Sequence, residues 1–191
     1  PFGNHGTIYG AVWQTLPSGK SALSFDGVDD YVEVPDSSSL NPSSQITVAA
    51  WAKCNSSSGD HDQWIVGKKE RSWDDDGYVL FYGWGLDFYF NIGDRDNYVQ
   101  WTFPSADEAF GKWHFFVGTF DGSKLKLYID GELKATEIVT HGLIHTMNPL
   151  CISHPTRLFN GTIDEVCIYS RALSEEEIRR LYELTRVFYG V

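Results

Sequence analysis

Asp164 is a carboxylate set among apolar residues near the C-terminal end of the chain. It stands in Thr162-Ile163-Asp164-Glu165-Val166-Cys167-Ile168, where a lone carboxylate among apolar side chains is costly unless something pairs with it. The best candidate partner lies far upstream, Asp26 in Ser24-Phe25-Asp26-Gly27. Glu165 is a second acid beside Asp164, but consecutive side chains on a strand point to opposite faces. The two are therefore not expected to work together as catalytic acid and base.

Other chemistry is searched for by type and spacing. A glycosidase needs two carboxyls about 5–5.5 Å apart for retention or about 6.5–9.5 Å for inversion, which on strands reads as acids alternating along one face. No Ser-His-Asp order, phosphate loop or His-rich metal motif stands out. Cys54, Cys151 and Cys167 are too few for a disulfide scaffold and lack metal-ligand spacing. One disulfide with a leftover thiol and three buried thiols both remain open.

Aromatic side chains offer a different chemistry, since sugar rings stack their C–H faces on flat rings. The chain has seven tryptophans and ten tyrosines. Trp51 and Trp113 fall in strand patterns and are expected to pack, and Trp64 and Trp101 fit either role. Trp73, in Arg71-Ser72-Trp73-Asp74-Asp75-Asp76, and Trp84, between Gly83 and Gly85, lie in predicted turns, where ligand contact is favoured over burial. Asp60, His61 and Asp62, with Asp74, Asp75 and Asp76, form an acidic loop edge suited to hydroxyl recognition or a second cation. An ordinary solvated loop explains the same residues equally well.

The elements that must position these residues are mostly strands. Short alternating runs recur throughout: Gly6–Trp13, Ala22–Phe25, Tyr31–Val34, Ile46–Lys53, Trp64–Gly67, Gly77–Tyr82, Leu86–Ile92, Tyr98–Phe103, Trp113–Phe120 and Leu125–Ile129. Glu132–Ile138, Pro149–Ser153 and the Asp164 stretch complete the set. Gly83-Trp84-Gly85 reads as a hairpin tip, and Asp130-Gly131 as a two-residue type I′ turn. One helix is expected from Ser174, with Glu177 closing a capping box, Leu173 and Ile178 a hydrophobic staple, and three glutamates facing the helix dipole. The pattern predicts an all-β, two-sheet antiparallel sandwich with a short C-terminal helix, residues 1–191 forming one domain excised from a larger protein.

Composition narrows the partners. With 26 acidic against 15 basic residues, the net charge of −11 argues against nucleic acid and anionic membranes. No apolar run reaches the roughly 18 residues of a membrane span. At 42% hydrophobic residues over 191 positions, a sizeable core can form.

Taken together, Ala22-Leu23-Ser24-Phe25-Asp26-Gly27-Val28-Asp29-Asp30-Tyr31-Val32-Glu33-Val34, Ile46–Trp51, Trp113-His114, Gly118-Thr119-Phe120-Asp121-Gly122, Leu127–Gly131 and Asn160–Ile178 closely resemble the laminin-G-like, concanavalin A-like jelly-roll family. The resemblance implies two sheets packed face to face, one of them concave, with loops gathered at the rim. It also implies a structural calcium ion held by Asp26 and Asp164 with backbone carbonyls, and calcium does take mixed oxygen ligands of that kind. Turn hydrogen bonding by Asp26 and Asp29 is the competing explanation. The Glu-x-Asp-x-x-Glu string of the family's laminarinase-like enzymes is absent, as are its lyase signatures. The expectation is a non-catalytic carbohydrate-binding or adhesive module of a larger extracellular or cell-surface protein. Its partners would be a polysaccharide or glycan and other domains of the parent protein; the alternative is a protein–protein or structural domain of the same fold.

Overall fold

A computed structural model describes residues 3–57, 61–70, 76–94, 96–139 and 145–191. Among the described residues, fourteen strands, numbered in chain order, form two antiparallel sheets of seven. The front sheet runs β1 (Thr7–Tyr9), β4 (Tyr31–Val34), β13 (Leu150–Ile152), β6 (Gln63–Lys68), β7 (Tyr78–Tyr82), β8 (Asp87–Ile92) and β9 (Tyr98–Thr102). The back sheet runs β12 (Glu132–Ile138), β11 (Lys124–Ile129), β10 (His114–Phe120), β5 (Ile46–Cys54), β14 (Asn160–Tyr169), β3 (Ser21–Asp26) and β2 (Val12–Thr15). The expected all-β jelly-roll sandwich is the observed fold.

Period-two alternation explains how β5 serves both sides of its sheet. Ile46, Val48, Ala50, Ala52 and Cys54 enter the core between the sheets, while Ala49 and Trp51 face outward. Across the core, Phe88 of β8 stacks on Phe116 of β10 with ring centroids 4.0 Å apart.

A one-turn helix α1 (Ala106–Ala109) precedes β10, and the outward face of the back sheet is covered by helix α2 (Glu175–Thr185), which supplies Ile178, Leu181 and Tyr182. The start of α2 matches the reading of its sequence. Glu177 N–H donates to the Ser174 hydroxyl at 3.3 Å, and Ser174 N–H donates to Glu177 Oε2 at 2.9 Å. The turn before β12 also forms as expected, with Asp130 and Gly131 both at positive φ. All three cysteines are free thiols.

Two local patterns resolve differently from the sequence reading. The single run Gly6–Trp13 is two strands in different sheets, broken at Gly10. Gly10 takes φ +74°, and a Cβ there would stand 2.0 Å from Asp30 Oδ1, so only glycine turns this corner. β14 is also not a uniform strand. Glu165 takes φ +50°, and the register against β5 shifts between Asp164 and Cys167, which marks a β-bulge.

Candidate functional site

The bulge decides the surroundings of Asp164. Its Oδ2 accepts the Tyr189 hydroxyl at 2.7 Å and lies 3.2 Å from Lys20 Nζ, while its Oδ1 accepts the Glu165 N–H at 2.8 Å. Lys20 Nζ also donates to Glu165 Oε1. The expectation that Asp164 and Glu165 face opposite ways is thus corrected: the left-handed backbone at Glu165 brings both acids to one ammonium. Burial pulls the Lys20 ammonium down, but its hydrogen bonds to Glu165 and Asp164 carry it above the ordinary lysine value. Burial and then the Asp164 hydrogen bond raise the Tyr189 phenol well beyond its usual range.

Asp164 and Asp26 do not come together. In the β3–β14 pairing, Asp26 stands opposite Asn160 and Leu23 opposite Ile163. Asp164 is four residues beyond Asn160, roughly 13 Å along the strand at the usual rise. The residues that gather around Asp26 are Asp29 and Asp30, with one ligand atom from each of the three within 4.8 Å of the others. Val28 N–H donates to Asp26 Oδ1 at 2.7 Å, and Asp26 N–H to Asp30 Oδ2 at 2.9 Å. Each of those two carboxylates keeps a second oxygen. Burial, opposed by the Asp26 hydrogen bond, raises the Asp30 carboxyl above its ordinary value. No lysine or arginine among the described residues forms an ion pair with these three acids. A hard divalent cation with oxygen ligands at about 2.3–2.6 Å fits that spacing and charge.

A second constellation lies on the outer face of the front sheet, at the β7–β8 hairpin. Asp62, Gly83, Trp84, Asp87 and Tyr89 line a cavity of about 320 Å³. Trp84 at the hairpin tip is 71% exposed, as its place in the sequence suggested, whereas Asp62 is 8% exposed. Asp87 and Tyr89 sit two apart on β8 and so share a face. The Tyr89 hydroxyl donates to Asp87 Oδ2 at 3.4 Å, and the Thr102 hydroxyl donates to Asp87 Oδ1. Tyr89 stacks on Phe81 at 5.0 Å. Burial first, and then the Asp87 charge, push its phenol up to about 12, so at neutral pH it is an uncharged hydrogen-bonding group.

The structure thus joins two of the sequence candidates, Trp84 and Asp62, and adds Asp87 and Tyr89. Alternation from the hairpin tip was the signal that could have found these two. Asp76 is exposed, and Trp73, Asp74 and Asp75 lie outside the described residues. Trp64, Trp51 and Trp113 are buried, and Trp101 is half-buried. Trp64 packs against His154, with ring centroids 4.5 Å apart and the planes tilted by 42°. His114 holds its β10 position through Asp130 Oδ2 and the Glu108 carbonyl, each at 2.7 Å.

This is a lectin-type jelly roll, and residues 26–179 match the family model of the concanavalin A-like lectin/glucanases superfamily. The chain belongs to that superfamily. No curated protein sequence matches it. Among solved structures it is similar to the botulinum neurotoxin serotype G binding domain, at 14% identity and a TM-score of 0.75, covering 96% of this chain and 47% of that one. It is also similar to the binding domain of botulinum neurotoxin DC in complex with SialylT, at 16% identity and a TM-score of 0.73, covering 95% and 47%. The serotype C1 binding domain gives 15% identity and a TM-score of 0.73, covering 95% and 48%. The chain therefore spans about half the length of these structures, and the likeness is one of fold.

Proposed function

We propose that this chain is a non-catalytic carbohydrate-binding or adhesive module of a larger extracellular or cell-surface protein. Its partners are a polysaccharide or glycan and the other domains of that protein. The observation that carries this reading is the exposed Trp84 ring at a cavity shared with Tyr89, Asp62 and Asp87. An indole with an open face stacks on a sugar ring, and adjacent carboxylate and phenol oxygens read hydroxyl groups. The lectin-type fold supports it, as does a fold neighbour solved with SialylT bound. A binding role without catalysis is supported by Asp164 and Glu165, the adjacent acids, sharing Lys20 instead of flanking open space. No helix among the described residues is long and apolar enough to cross a membrane. A calcium ion held by Asp26, Asp29 and Asp30 stabilises the module.

Titration calorimetry against a panel of neutral and charged polysaccharides tests the reading, with Trp84→Ala beside the unaltered chain. At least one polysaccharide is expected to bind, and to lose roughly tenfold or more in affinity on the substitution with no change in melting temperature. Stacking of about 1–3 kcal/mol per ring sets that scale by analogy with other ring stacks. A panel with no binder would favour the protein–protein alternative, and released oligosaccharide products would overturn the non-catalytic reading.

A further inference from the structure

The walls of the Trp84 cavity carry a charge pattern that goes beyond sugar binding as such, and the inference drawn from it rests on that binding role. Its lining includes two carboxylates, Asp62, which is itself partnered, and Asp87. Asp87 is the informative one. Both of its oxygens are engaged, but by hydroxyls, those of Thr102 and Tyr89, which orient the carboxylate without cancelling its charge. The negative charge is therefore held in place beside the Trp84 ring, on a chain that is already at −11.

We propose that this cavity selects its sugar by charge, taking amino sugars with a free ammonium group ahead of neutral sugars and rejecting sugars that carry carboxylate or sulfate. An ammonium placed against Asp87 gains a charge-assisted hydrogen bond, whereas a sugar acid meets like charge in a partly dehydrated wall. Burial, ahead of the neighbouring Asp87 charge, holds the Tyr89 phenol above its usual range. Tyr89 stays protonated through neutral pH and gives every sugar class the same neutral contact, so the discrimination falls on Asp87.

The test is ligand-observed saturation-transfer NMR at pH 5.5 with methyl glycosides in two stereochemical series. One holds glucose, glucosamine and glucuronate, the other galactose, galactosamine and galacturonate. In at least one series the amino sugar is expected to bind about tenfold tighter than the neutral sugar, and the uronate to bind weakest. Asp87→Asn should bring the three affinities within about threefold of each other, and Trp84→Ala should weaken all of them. A uronate that binds as well as the amino sugar overturns charge selection while leaving sugar binding intact. An amino sugar whose binding survives Trp84→Ala also overturns it, because the attraction is then to the acidic surface at large. Absence of binding by all six overturns both this inference and the function on which it rests.

Discussion

A Cβ built on Gly83 would stand 2.4 Å from Cε2 of Tyr89. The hairpin backbone and the phenol ring therefore occupy adjoining space with no room for a methyl group between them. Gly83 N–H also donates to the Asp87 carbonyl at 2.9 Å, which closes the hairpin beneath Trp84.

Gly83→Ala should accordingly displace the Tyr89 ring and destabilise the fold by about 1–3 kcal/mol, the usual range for an overpacked site. Chemical denaturation measures the stability loss. The same variant should weaken sugar binding more than Tyr89→Phe, which removes a hydroxyl but leaves the ring in place.

The Trp51 indole N–H donates to the Thr185 hydroxyl at 2.9 Å, tying the back sheet to the end of α2. Thr185→Val keeps the shape and removes the acceptor. An orphaned buried donor costs about 1–3 kcal/mol, so the denaturation midpoint should fall while the slope stays constant. An unchanged midpoint would mean that another acceptor reaches the indole.

Lys20 links three groups on β14 and the C-terminal turn, and its loss exposes Asp164 to Glu165. Lys20→Met should cost about 1–3 kcal/mol, less than a fully buried pair because both side chains are partly hydrated. The folded pKa values of Lys20 and Tyr189 both lie above their ordinary values of 10.5 and 10.0. The stabilisation from each is complete below its unfolded pKa and is lost as pH rises above it. Melting temperature should therefore fall above about pH 10, and Lys20→Met combined with Asp164→Asn should flatten that decline.

His154 adds a dependence on the acid side. Burial against Trp64 lowers its imidazole from 6.5 to about 4. A depressed value means stability present above pH 6.5 and lost as pH falls towards 4, at most about 3 kcal/mol from a single group. His154→Phe, which retains an aromatic ring over Trp64, should remove this part of the acid sensitivity. Melts from pH 7 to 4 check it.

Calcium should raise the melting temperature through binding linkage, and a chelator should reverse the rise. Asp30→Asn and Asp26→Asn are each expected to abolish the shift. Asp164→Asn should leave the shift intact while lowering the baseline stability. If Asp164→Asn alone removed the calcium response, the ion would belong on the β14 side.

The amino-acid sequence by itself determined most of the strand pattern, the Asp130-Gly131 turn, the Ser174–Glu177 cap and the family. Each of these depends on residues close together in the chain, or on an ordered set of such strings. The exposure of Trp84 was legible for the same reason, because two flanking glycines define a tip wherever the hairpin is placed. Tertiary structure alone decided the partner of Asp164. A single left-handed residue at Glu165 and the β3–β14 register direct it to Lys20 and Tyr189, away from Asp26. It alone decided that Gly10 is a corner, since the contact that requires glycine comes from Asp30 across the fold. The cavity likewise needed β6, β7, β8 and β9 in register before Asp62, Trp84, Asp87 and Thr102 could meet. Local backbone preferences are encoded within a few residues, whereas pairing register and bulges emerge only when distant strands compete for the same hydrogen bonds and the same core.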